Sequence, residues 1–207
     1  MEAVFPLLME GGLLGGFMDW RSLPEAQAAA TALGLIAVDL VVWAKLNAGD
    51  GDLYRSAHEL LPLFKKGTAA PTHPGPDGKR GRRRSNLWTT PGKVAPGPGR
   101  RRHLQDGPAG QPGKPTGMLA EALTELTERG DIMLDPFLGA GATLIAAENT
   151  GRVCCGVESD PRYVDVIIRR YEASTGTAAI LADSGETFEQ VAIRRRRDAG
   201  AESIRRS

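Results

Sequence analysis

Asp135–Thr143, DPFLGAGAT, stands between a short apolar stretch, Asp131 to Asp135, and a helix-forming stretch from about Ala142 to Thr150. A strand that hands over to a helix through Gly139 and Gly141 needs a tight turn, and the two glycines let a ligand approach the backbone. The helix behind them offers free amide hydrogens at its N-terminus. A second strand is expected over Arg152 to Glu158, and Glu158 follows Gly139 by 19 residues. A carboxylate at that strand end can accept the hydroxyl hydrogens of a ribose. Strand, glycine turn, helix, strand and acidic terminus together describe a nucleoside pocket; the alternative is a tight turn with a solvent-facing Glu158. A dinucleotide fingerprint would place a third glycine where this chain has Leu144, which argues against a pyrophosphate cofactor.

Downstream, Asp160 and Pro161 start a helix to about Ser174, with Gly176 behind it, and Ala178 to Ala182 reads as a last strand. Upstream, Thr116 can cap a helix whose Leu119, Ala122, Leu123 and Leu126 share one face, with Gly130 as its stop. The order β-α-β-α-β predicts an α/β fold with a parallel, Rossmann-like sheet and right-handed crossovers. Nearer the N-terminus, Ser22, Pro24 and Glu25 suggest a capping box and a helix to Leu33. Ile36 to Trp43 reads as a buried strand, His58 to Phe64 as one that Pro62 makes an edge or irregular, and Leu13 to Asp19 as a third.

Four regions follow: 1–66; a segment 67–117, in which 20 of 51 residues are Gly or Pro; the unit 118–190; and a basic tail 191–207. The second segment cannot offset its ordering entropy alone and reads as a loop or insert. The 26 Lys and Arg nearly balance the 25 Asp and Glu, but unevenly, since Lys79 to Arg102 holds nine basic residues and no acidic one. A basic segment on an acidic body suits contact between a few surfaces and a polyanion. Cys154 and Cys155, adjacent, and the isolated His58, His73 and His103 lack metal-ligand spacing, so no metal is expected. The longest apolar run, Leu33 to Ala44, carries Asp39 and falls short of the roughly 20 residues of a membrane span. With no basic stretch at the N-terminus to suggest a signal peptide, a cytoplasmic location and no membrane partner are expected.

The D-P-F-x-G-x-G turn without its third glycine resembles the S-adenosylmethionine loop of DNA methyltransferases that modify the exocyclic amino group of adenine or cytosine. Gly156 to Glu172, Lys114–Pro115, Met18 to Arg21, Val41 to Gly67 and Arg84 to Gly92 are similar to further blocks of the bacterial and phage branch whose catalytic half comes first. The resemblance implies an S-adenosylmethionine cofactor held by Asp135, Pro136, Phe137, Gly139, Gly141, Thr143, Glu158 and Lys114. Double-stranded DNA would be the partner, with Arg55, His58, Arg82, Arg83 and Arg84 as contacts, in a restriction-modification setting.

The family also holds the flipped base with an Asp, Asn or Ser followed by Pro-Pro and an aromatic. These 207 residues contain no Pro-Pro pair, so the catalytic residues are unknown. The chain thus resembles an enzyme truncated at the N-terminus. Its missing strand would lie beside Asp131 to Asp135, and the gap would be repaired by Ala3 to Met9, filled by a complementing chain or a second copy, or left unstable. An inactive remnant that binds cofactor or DNA is the alternative, and a nucleotide-dependent oxidoreductase the second.

Overall fold

The computed structural model describes residues 1–45, 48–49, 51–69, 85–89 and 113–205. The chain divides into two compact units, Met1–Arg101 with Glu121–Asp131, and Arg102–Ala120 with Ile132–Ser207.

The first unit is built on a four-stranded sheet. Its strands are β1 (Leu13–Gly15), β2 (Leu35–Ala44), β3 (His58–Lys66) and β4 (Leu87–Thr89), in the order β1-β3-β2-β4. β3 runs antiparallel to β1 and β2, and β4 runs parallel to β2. Helix α1 (Leu23–Ala32) closes a core of Ala30, Leu35 and Phe64, joined by Phe5, Leu8, Leu14 and Leu33.

Four expectations change here. Pro62 lies inside the sheet, opposite Leu40 in β2. The reason is side-to-side alternation: Leu60 exchanges both backbone bonds with Met18, at 2.8 and 2.9 Å, so Pro62 turns its nitrogen to the same edge. That position falls between Met18 and the end of β1 at Gly15, where the ladder is interrupted and no donor is required. The third strand accordingly shortens to Leu13–Gly15.

Ser22 does not form the expected capping box with its side chain. It has helical dihedrals, and its N–H and Oγ both donate to Asp19 Oδ1 at 3.0 Å. These bonds, the backbone one foremost, hold the Asp19 carboxyl below its usual range. Nor does Ala3 to Met9 repair the second sheet. Phe5–Leu7 is a 3-10 turn in the first unit, held by Lys66 Nζ, which donates to Phe5 O at 3.2 Å and Leu8 O at 2.7 Å.

The second unit contains β5 (Ile132–Asp135), α3 (Ala142–Thr150), β6 (Val153–Gly156), α4 (Pro161–Thr175) and α5 (Phe188–Arg205). β5 and β6 are parallel, joined by α3 as the sequence predicts. Ala146 and Ala147 are fully buried, and such small side chains let the helix lie close to its neighbours β6 and α4. Gly151, left-handed at φ 72°, ends the helix, and buried Arg152 donates from Nη1 to Thr150 O at 2.5 Å. Helix α2 (Thr116–Leu126) precedes β5 and belongs in part to each unit.

Ala178–Ala182 forms no strand. One bridge, Ile180 to Thr187, closes a turn in which Gly185 N and Leu181 N are already bonded locally. Arg194 to Arg197 occupy the middle of α5, and Arg194 is paired with Glu186 at 2.9 Å. Among the described residues β6 is the only strand paired with β5, and Ile132 is 75% exposed.

Candidate functional site

The glycine turn is a continuation of the β5–β6 pairing. Past the strand ends, Val157 N donates to Asp135 O at 2.9 Å and Leu138 N to Val157 O at 3.0 Å. Asp135 Oδ1 accepts Phe137 N at 3.0 Å, a local turn that Asp favours. Gly139 and Gly141 take left-handed dihedrals, φ 55° and 77°, and Gly141 N closes on Leu138 O at 2.9 Å.

The two glycines have different duties. At Gly139 the nearest heavy atom to an added Cβ would be Phe137 O at 3.9 Å, so the backbone there lies open to a ligand. At Gly141 a Cβ would stand 3.1 Å from Ile167 Cγ1 in α4, so that glycine serves packing as well as the turn.

Glu158 joins the two strand ends. Its Oε2 accepts Gly139 N at 2.8 Å and its Oε1 accepts Asp160 N at 2.9 Å. Each carboxylate oxygen still has a second lone pair, so the group can hold the loop and accept two hydroxyls. Asp160 caps α4 by accepting Arg162 N at 2.9 Å; the Arg162 guanidinium holds its carboxyl below the usual range. The first amides of α3, Ala142 to Leu144, have no partner within the helix and lie just beyond the turn. The Phe137 ring is 88% exposed beside them in sequence.

A shallow cleft of about 390 Å³ lies between α3, β6 and α4, lined by Leu144, Arg152, Cys154, Ile167 and Tyr171 among others. It includes none of the predicted site residues, so the turn rather than the cleft is the candidate site. Burial, with Asp135 and Cys155 adding to it, pushes the Cys154 thiol up to about 11.

The structure therefore brings Asp135, Pro136, Phe137, Gly139, Gly141, Thr143 and Glu158 to one end of the β5–β6 pair. Lys114 lies half-buried just before α2. Arg55 and His58 are exposed in the first unit; the Arg55 guanidinium donates to Ala48 O at 2.6 Å, and His58 opens β3 opposite Ala44. Arg82, Arg83 and Arg84 lie outside the described residues.

Residues 1–169 match the family model described as DNA methylase, N6_N4_Mtase. The chain belongs to the DNA methylase family. It is 34% identical over 64 residues to the type II methyltransferase M2.DpnII of Streptococcus pneumoniae, covering 31% of this chain and 24% of that protein. With the type II methyltransferase M.Cfr9I of Citrobacter freundii it shares 33% over 58 residues, 28% of this chain and 19% of the relative. The matched stretches thus span a quarter or less of these curated methylases.

Among solved structures, the M1.HpyAVI–SAM complex superposes with a TM-score of 0.64 at 21% identity, covering 81% of this chain and 78% of that one. The cytosine-N4-specific PvuII DNA methyltransferase superposes at 0.59 and 15% identity, covering 79% and 65%. Both show that the methylase fold is shared. Nothing in these matches supports an oxidoreductase.

Three positions of the chain escaped the sequence reading. At Gly156 a Cβ would fall 2.4 Å from Leu138 Cδ2. Arg170, buried, donates from Nη1 to Ala140 O inside the turn, and burial lowers its guanidinium from the usual value. Ile167 supports Gly141. Their spacing, Ile167 and Arg170 three apart on α4, was the available signal; only an arginine on an apolar face marked it.

Proposed function

We propose that this chain binds S-adenosylmethionine at the glycine turn and serves methylation of an exocyclic amino group of adenine or cytosine in double-stranded DNA. The observation that carries the reading is the Glu158 carboxylate, bonded to Gly139 N, with a second lone pair on each oxygen. In this reading Glu158 accepts the ribose hydroxyls, the Gly139 backbone lies against the cofactor, and Phe137 offers a ring face. Asp135, Pro136 and Thr143 shape the turn, and Lys114 closes on the cofactor from before α2. Bound there, S-adenosylmethionine supplies an electrophilic methyl group. Arg55, His58 and the Arg82–Arg84 run neutralise phosphates or reach base edges.

The absence of a Pro-Pro pair from the 207 residues favours a second reading, in which these residues alone bind cofactor or DNA without transferring methyl groups. A flipped base needs acceptors for its amine hydrogens, and another polypeptide segment, from a complementing chain, would supply them. Among the described residues no helix is long and apolar enough to cross a membrane.

Calorimetric titration with S-adenosylmethionine tests the site: saturable binding is expected, weakened at least about tenfold by Glu158→Ala. No heat from a folded sample would sink the assignment. Transfer of tritiated methyl groups to unmethylated DNA should stay at background for this chain alone. Incorporation above that of a Gly139→Ala/Gly141→Ala double variant would show that the catalytic residues lie within it.

A further inference from the structure

The connection between β2 and β3 is a braced hairpin with a bare apolar tip. Lys45 N donates to Ala57 O and Gly49 N to Ser56 O, each at 2.7 Å, which extends the ladder beyond Ala44 and His58. Arg55 adds its bond to Ala48 O, and Gly51 is so tightly folded over that a Cβ there would lie 2.0 Å from Tyr54 O. At the tip Leu53 and Tyr54 are 85% and 84% exposed. A loop held by this many internal bonds around two bare apolar side chains is shaped to present them.

Other features converge on the same end of the sheet. Met18 pairs with Leu60, so the chain after it runs toward the start of β3, and Arg21 forms an ion pair with Asp52. Trp20 is thereby placed at this end, 62% exposed, with the Arg21 guanidinium 5.0 Å from its ring. β4 runs parallel to β2 with Thr89 opposite Ala44, so β4 ends beside the hairpin. Bare aromatic and aliphatic groups beside the Arg21 and Arg55 guanidinium groups fit a polyanion that also offers stacked rings.

We propose that Leu53 and Tyr54 enter the DNA duplex as a wedge, with Trp20 stacking beside them, and hold open the base step from which the target nucleotide is drawn. This rests on the DNA substrate of the proposed function and adds the element that parts the bases. Insertion of an apolar side chain unstacks a step, and the gap left by an extruded base needs filling.

The fluorescence of the native protein provides the test, because Trp43 and Trp88 are 8% and 4% exposed and acrylamide quenching therefore reports Trp20. A fluorescein-labelled random-sequence duplex, followed by anisotropy, reports binding separately. The duplex should shield Trp20 from acrylamide. Leu53→Ala/Tyr54→Ala should weaken duplex binding about tenfold while leaving unchanged both the slope of log affinity against log salt and S-adenosylmethionine binding. Arg55→Ala, by contrast, should reduce that slope by about one. Both tip residues are exposed, so their loss should not unfold the protein.

Duplex binding with Trp20 still open to acrylamide, or a double variant that binds like the wild type, overturns the wedge and leaves the methylase reading standing. A double variant that lowers the sedimenting mass without lowering DNA affinity overturns it in favour of a contact between copies. Failure of the wild type to bind any duplex overturns the wedge together with the DNA half of the proposed function, while cofactor binding stays separately measurable.

Discussion

The Glu158 carboxylate accepts the Gly139 amide at 2.8 Å, tying the end of β6 to a turn 19 residues earlier in the chain. Its other oxygen holds Asp160 N at 2.9 Å, so one side chain positions the glycine turn and the approach to α4 together.

Glu158→Ala should therefore cost stability even without cofactor, about 1–3 kcal/mol, because two partly enclosed amides lose their acceptor. Glu158→Gln keeps one acceptor but turns its NH2 toward the amide of Gly139 or Asp160, a donor facing a donor, so it should lose stability as well as cofactor affinity. Urea denaturation with and without S-adenosylmethionine separates the two losses; equal losses in both variants would contradict the dual role.

Gly141→Ala should destabilise more than Gly139→Ala. Both would carry the left-handed penalty of about 1–2 kcal/mol, but only Gly141 adds a 3.1 Å contact with Ile167. In a double-mutant cycle Ile167→Ala, which removes both Cγ atoms, should recover most of the contact part of the Gly141→Ala loss and none of the dihedral part. Thermal unfolding of the three variants and the double variant reads out the order.

Asp160 stabilises the start of α4 in its ionised form, since the Arg162 side chain and then its backbone amide lower its pKa below the ordinary 3.8. A lowered folded pKa gives stability that is present above pH 3.8 and lost as pH falls through the lower folded value. Asp160→Ala should lower the denaturation midpoint at pH 7, and the gap from wild type should shrink toward zero below pH 3.8. A gap that persists unchanged in acid would count against the capping role.

The two adjacent thiols should differ in reactivity. Burial, then Asp135 and Cys155, raises Cys154 from 9.0 to about 11, whereas Cys155 is exposed. At pH 8 iodoacetamide should label Cys155 first, with Cys154 reacting only as pH approaches 11 or after unfolding. The folded pKa is raised, so the associated stability is complete below pH 9 and lost as pH rises from there toward 11. Peptide mapping of the alkylated protein gives the order directly.

Much of the second unit was legible because its signals are local. Gly139 and Gly141 mark a turn wherever they stand, α3 runs over Ala142–Thr150 as its pattern predicts, and Asp160 with Pro161 announces α4. Ala178–Ala182 misled for the same reason: five small and apolar residues read as a strand, yet no neighbouring strand offers a ladder among the described residues. Ser22 lost its expected part because its N–H and Oγ–H are both donated to Asp19 Oδ1, three residues before it, and its dihedrals are already helical.

The sequence by itself determined the order of strands and helices around DPFLGAGAT, the two left-handed glycines and the acidic end of the second strand. These depend on backbone sterics and on residues within a turn of one another. Only the tertiary structure decided that Glu158 holds the turn it was expected to face, and that Pro62 lies inside a sheet where one ladder is interrupted. It also decided that Ile167 and Arg170 support the turn from α4. Trp20, Leu53, Tyr54 and the exit of β4 meet at one sheet end for the same reason. Each depends on strand register and helix packing between residues far apart in the chain, and pairing across such distances leaves no periodic mark in a single sequence.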